Sequence, residues 1–209
     1  MVFGRRTVST ATAWLVMGAV AVAVYVAWPR RMAYVHSHVT GKAYLVKNLP
    51  NSQAVADRLA LMEHRVRDFL HKAKAHAPGD RRLHNIRMRW NGTLTETSED
   101  KDVAYSIGKG AISICVRSPS GGLVDENSCM FVLLHELAHV ATDTYGHEHR
   151  FWPNMKFLLE LAERTGSYTY QDFERTETSY CGIPLTSSPL SCVKNATCKS
   201  ELRRARSGR

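Results

Sequence analysis

The run Met130-Phe131-Val132-Leu133-Leu134-His135-Glu136-Leu137-Ala138-His139-Val140 constrains the fold more than any other part of the chain. It is apolar except for three ionisable side chains. Residues four apart share one face of an α-helix, so a helix here sets the imidazoles of His135 and His139 side by side. Asp125 to Ser128 supply a cap before it, and Thr142 to Gly146 end it. So apolar a helix belongs at the centre of a core, where two histidines and a glutamate are expensive to bury without a task.

The pattern is His-Glu-x-x-His, and its spacing suits metal chemistry. Both imidazoles can meet one ion, and Glu136, at the next position, reaches water on that ion. Zinc lowers the pKa of such water toward about 7, and a carboxylate can then take its proton. A catalytic zinc site needs three protein ligands, leaving a fourth position open. The metzincin spacing would require His at 145 and Gly at 142; Tyr145 and Thr142 exclude that class. Gly146 lets the chain reverse so that His147 can return to the metal. His147 is therefore the leading third ligand, with Glu160, Glu163 and His149 as alternatives.

The chain has 209 residues, 44% of them apolar and 22% charged, enough for one globular domain and too few charges for a disordered polyelectrolyte. Its net charge is +9, but Lys199, Arg203, Arg204, Arg206 and Arg209 against Glu201 put +4 of that in the last eleven residues. The rest is mildly basic, a poor argument for nucleic-acid binding. Five cysteines do not make a disulfide scaffold at this length. Cys181, Cys192 and Cys198 lack a Cys-x-x-Cys spacing, which argues against a second metal site; whether they are reduced or paired among themselves stays open.

Residues 11–28 form an apolar run in which only Thr12 is plainly polar, with Arg5 and Arg6 before it and Arg30 and Arg31 after it. Eighteen helical residues span roughly 27 Å, close to a bilayer core, and Trp14 and Trp28 sit where aromatic belts form. The expectation is a transmembrane helix over 11–28 after a flank at 1–10, making a single-pass membrane protein. A cleaved signal peptide is the rival. Positive charges lean toward a cytosolic domain, whereas the sequons Asn91-Gly92-Thr93 and Asn195-Ala196-Thr197 are useful only in a lumen. Neither decides the side.

Alternation over 33–47 predicts a hairpin. Val55, Leu59, Met62, Val66, Phe69 and Leu70 predict an amphipathic helix from Asn51-Ser52 to about Ala77, with Arg58, Arg65, Arg67, Lys72 and Lys74 on a solvated face. Leu83 to Trp90 reads as a strand, 93–102 as a loop, and 105–116 as a strand interrupted at Gly108-Lys109-Gly110. A further helix runs from about Arg150 to Arg164, with Pro153 tolerable in its first turn. The domain is expected over 32–185, and 186–209 as a disordered basic tail.

The stretch Phe131 to Gly182 resembles the WLM and SprT-like zinc metallopeptidases, in which His-Glu-Leu-x-His is followed by Gly-His-x-x-x-Phe; here Gly146-His147-Glu148-His149-Arg150-Phe151 stands in that place. Phe151-Trp152, Phe157-Leu158-Leu159, Thr165-Gly166-Ser167-Tyr168 and Tyr180-Cys181-Gly182 look like a membrane-anchored branch in large DNA viruses and algae. The resemblance implies a small α+β zincin-like domain, an antiparallel or mixed sheet packed on helices with the motif on a central helix. It implies one zinc ion on His135, His139 and His147, with Glu136 as general base against a peptide carbonyl. It also implies that 105–116 is an edge strand beside the motif helix, to which an extended peptide substrate can add. Tyr145, Tyr168 and Tyr180 are candidate oxyanion donors, Tyr180 first. The rival functions are a zinc-stabilised, catalytically inactive membrane scaffold and a protease of DNA-linked proteins. No nucleic-acid-binding module is visible, and the basic tail reads equally as solvated chain or as a contact for anionic lipid or nucleic acid.

Overall fold

Val55, Leu59, Met62, Val66 and Phe69 are all buried and form one stripe along the first long helix. The computed structural model describes residue 14 and residues 31–98, 103–144 and 146–191. The chain divides into two units between Arg31 and Met32, and the second is α+β. Its elements run β1 (Met32–His36), β2 (Ala43–Lys47), α1 (Ser52–His76), α2 (Arg81–Arg89), β3 (Thr93–Glu96), β4 (Ala104–Ile107), β5 (Ala111–Ile114), α3 (Glu126–Ala141), α4 (Phe151–Arg164), β6 (Thr178–Tyr180) and β7 (Ile183–Leu185).

β1 and β2 form an antiparallel hairpin, with Tyr34 opposite Leu45. A three-stranded mixed sheet has the order β3-β5-β4, β5 running parallel to β3 and antiparallel to β4. Side chains join the two sheets. Glu96 on β3 accepts from the Lys47 backbone N–H at 2.6 Å and pairs with buried Arg117 at 2.6 Å, and Arg117 donates to the Lys47 carbonyl at 3.1 Å. β6 and β7 make a second hairpin, with Cys181 and Gly182 at its tip.

α3 crosses the middle of the core. Its Cys129, Met130, Leu133, Leu134, Leu137 and Ala138 are fully buried. The Asp125 carboxylate caps it by accepting from the Ser128 N–H at 2.9 Å. A disulfide joins Cys115, just after β5, to Cys181, with Cα atoms 6.3 Å apart.

Several expectations are corrected. Among the described residues no helix is long and apolar enough to cross a membrane. The one long enough, α1, carries charged side chains throughout, including Asp57, Glu63, Arg67 and Lys74. The run over 11–28 itself lies outside the described residues apart from Trp14, so the single-pass membrane assignment is withdrawn. The strand expected over Leu83 to Trp90 is the helix α2. Asp80 caps it by accepting from the Arg82 N–H at 2.8 Å, and Leu83 and Ile86, three apart, are buried while Met88 is exposed. Part of the expected 93–102 loop is β3. The interrupted strand over 105–116 is two strands, because Gly108 and Lys109 both take positive φ, 55° and 60°, and turn the chain back. Cys181 pairs with Cys115 rather than with Cys192 or Cys198, which lie with the rest of 192–209 outside the described residues.

Candidate metal centre

His135 and His139 stand one turn apart on α3. The third imidazole arrives through the loop that follows. Gly146 has φ 77°, a conformation that glycine reaches without strain, and the chain there brings His147 back over the helix. The ligand-capable nitrogens of His135, His139 and His147 lie within 4.8 Å of one another. Nε2 of His135 and Nε2 of His147 are 2.9 Å apart. These three can hold a metal ion, and among the described residues no other such group occurs. Glu160, Glu163 and His149, the alternative third ligands, do not join it. Tyr145 lies outside the described residues.

Phe151, at the start of α4, is fully buried against all three rings, with centroids 4.8, 4.3 and 4.6 Å from those of His135, His139 and His147. Trp152 stacks on His147 at 5.6 Å. The imidazoles are thus held from behind by aromatic packing. Burial, then the neighbouring histidines, push His135 down to about 3. Burial, His147 and Lys109 push His139 down to about 4. Both rings are neutral at ordinary pH, the form that ligates metals.

The C-terminal end of α3 is tied down by donors from other elements. Asn85 Nδ2 donates to the Ala141 carbonyl at 2.9 Å, and Arg89 Nη1 to the Val140 carbonyl at 2.9 Å. Lys109, at the β4–β5 turn, donates to the Thr142 carbonyl and, at 3.4 Å, to that of Thr144. Positive charge at a helix C-terminus is favourable, and these contacts fix the loop that carries His147. Sequence reasoning gave no role to Arg89 or Lys109, and Phe151 entered it only as part of the Gly-His-x-x-x-Phe resemblance. Only Asp80 before Leu83 and Ile86 hinted at the helix that supplies Asn85 and Arg89.

Glu136 is buried beside the histidines. Together with Ala104, Tyr105 and Ser106 of the edge strand β4, they line a cleft of about 280 Å³. Among the described residues no hydrogen bond reaches the Glu136 carboxylate, and burial pushes it up to about 7. The carboxylate thus faces the cleft with no protein hydrogen-bond partner among the described residues.

Tyr180, the first candidate oxyanion donor, is buried, and its hydroxyl donates to the Cys115 carbonyl at 2.5 Å. Tyr168 is buried against Phe131, its ring 6.1 Å away.

Over 161 residues the chain is 33% identical to the uncharacterized protein R325 of Acanthamoeba polyphaga mimivirus, a match covering 72% of this chain and 81% of that protein. It is 38% identical over 68 residues to the uncharacterized protein 136R of Invertebrate iridescent virus 6, and 39% identical over 71 residues to the uncharacterized protein 042R of Invertebrate iridescent virus 3. These shorter matches take in 31% and 34% of this chain and span less than half of either protein, 38% and 44%. No family model and no solved structure matches the chain.

Proposed function

The chain belongs to the family of the mimivirus protein R325, and for it we propose a zinc-dependent peptidase that hydrolyses peptide bonds in a protein or peptide substrate. The observation that carries this reading is Glu136, a buried carboxylate without a hydrogen-bond partner among the described residues, in one cleft with three imidazoles able to share an ion.

Three imidazoles suit zinc. A tetrahedral ion with Zn–N of about 2.0–2.1 Å needs nitrogens about 3.3 Å apart; the 2.9 Å between His135 and His147, and the 4.8 Å ceiling across the triad, bracket that value. Held there, zinc supplies a Lewis acid that acidifies water and polarises a carbonyl.

Glu136 does the proton work. Its carboxylate takes a proton from water as the water oxygen adds to the scissile carbonyl carbon. It then delivers that proton to the departing amine as the C–N bond breaks. Burial alone would leave Glu136 half protonated near neutrality; a nearby cation favours its ionised form. β4 flanks the cleft, where a free strand edge can pair with an extended chain. The resemblance of 131–182 to WLM and SprT-like metallopeptidases supports the same reading.

Stripping metal from the full chain with a chelator should abolish cleavage of an unfolded protein such as casein, and one equivalent of zinc should restore it. Cleavage that survives complete metal removal would overturn the proposal.

A further inference from the structure

A second hollow, separate from the metal cleft, opens between α1 and α2. It holds about 660 Å³ and is lined by Arg67, His71 and Lys74 of α1, Arg87 of α2, and Leu70 and Trp90. It continues into a smaller hollow of about 320 Å³ that shares Leu70, Lys74 and Arg87 with it and adds His84. Arg67, His71 and Lys74 are spaced four and three residues apart, so they share one helix face, and Arg87 faces them from the other wall. No carboxylate lines the larger hollow. Asp80, in the smaller one, is held by Arg82 at 2.6 Å.

The lysines and arginines elsewhere on these helices are already engaged. Arg58 donates to the Val124 carbonyl, Arg65 to that of Ser167, Lys72 pairs with Asp68, and Arg89 with Asp143. His71, Lys74 and Arg87, by contrast, have neither an ion pair nor a side-chain hydrogen bond among the described residues. Arg67 is held rigidly. The Glu63 carboxylate accepts from its Nε and Nη2 at 3.0 and 2.9 Å, and its guanidinium lies over the Trp90 ring at 5.7 Å. Gly92 makes the room for it, since a Cβ there would stand 1.9 Å from Arg67 Nη2. The Trp90 indole N–H is buried without a partner.

We propose that this hollow binds a ligand of nucleotide size carrying two or more phosphate groups. Lys74 and Arg87 converge on the hollow with no ion pair among the described residues, and a multiply charged anion relieves the repulsion between them. Arg67, whose Nε and Nη2 are taken by Glu63, presents the rest of its fixed guanidinium to a phosphate oxygen. The volume falls in the range of small-molecule sites, about 300–1,000 Å³. The site is independent of the metal centre and of the peptidase reading.

The test uses the full chain and adenosine 3′,5′-bisphosphate, titrated calorimetrically at about 0.15 M salt, where non-specific attraction is screened. Saturable binding of one molecule per chain is expected, unchanged after metal removal. Lys74→Glu and Arg87→Glu should each weaken it at least tenfold. Lys72→Glu, an equal charge change on the same helix outside the hollow, should leave it within twofold. Unaltered melting curves show that the variants fold. A single-stranded oligothymidylate distinguishes the phosphate source: tighter binding with the same variant sensitivity identifies a nucleic-acid backbone, weaker binding a free nucleotide, and either supports the site. Absence of saturable binding to both probes would overturn the proposal, as would equal losses with Lys72→Glu. Oligoglutamate binding as tightly as the bisphosphate would overturn the assignment to phosphate.

Discussion

Tyr180 donates its hydroxyl to the carbonyl of Cys115 at 2.5 Å, and Cys115 is disulfide-bonded to Cys181, the residue that follows Tyr180. One pair of neighbours therefore fastens the β6–β7 hairpin to the end of β5 twice, once covalently and once by hydrogen bond. The role expected of Tyr180 from these two links is structural. Tyr180→Phe should lower stability by about 1–2 kcal/mol, the cost of leaving a buried carbonyl unpaired, and should leave kcat for casein cleavage within about threefold. A loss near the 10²–10³-fold typical of a deleted oxyanion donor would show that the hydroxyl reaches the reacting centre.

The disulfide closes a sequence separation of 66 residues that contains all three histidines. The chain-entropy account gives such a link about 4 kcal/mol. Reduction, or the Cys115→Ser/Cys181→Ser double variant, should lower the urea midpoint accordingly. Coincident unfolding curves with and without reductant would contradict the pairing.

Lys109 acts at one remove from the metal. Its ammonium holds the carbonyls of Thr142 and Thr144, between His139 and His147. Lys109→Met should weaken metal affinity about tenfold, in the range of other supporting contacts around metal ligands, with circular dichroism unchanged. Competition against a chelating dye measures it; unaltered affinity would remove Lys109 from the site.

Glu63 should give the fold an acid-sensitive component. Burial pushes its carboxyl up, but hydrogen bonds from Lys42, Arg67 and Tyr44 outweigh this and hold it below the usual glutamate range. A carboxylate with a lowered folded pKa stabilises above its unfolded pKa, and that contribution fades as pH falls through the folded one. Glu63→Gln should therefore cost about 2 kcal/mol at pH 6, and the gap should shrink as pH drops below about 4.3. Thermal melts from pH 6 to pH 3 follow it; a gap independent of pH would contradict the account.

The parts of this molecule written in local periodicity were legible. The stripe from Val55 to Phe69, the cap at Asp125 and the i, i+4 pair His135 and His139 need only a helix period, and Gly146 marks the reversal that returns His147. What the sequence hid is non-local or ambiguous over short spans. Leu83, Ile86, Met88 and Trp90 suit a strand as well as a helix until the Asp80 cap and the burial of Leu83 and Ile86 decide between them. The partner of Cys181 lies 66 residues away. Nothing near Tyr180 in sequence announces that its hydroxyl is taken by Cys115, and nothing near Lys109 shows that a hairpin turn meets the end of α3.

The most direct test of the zinc-peptidase account measures zinc content and casein cleavage together, in the full chain and in Glu136→Gln. The account predicts one zinc per chain in both proteins, with cleavage in the first and a loss of at least 10³-fold in the second, as expected when a general base is removed from a metal site. Equal cleavage by both proteins, or no zinc in either, would contradict it.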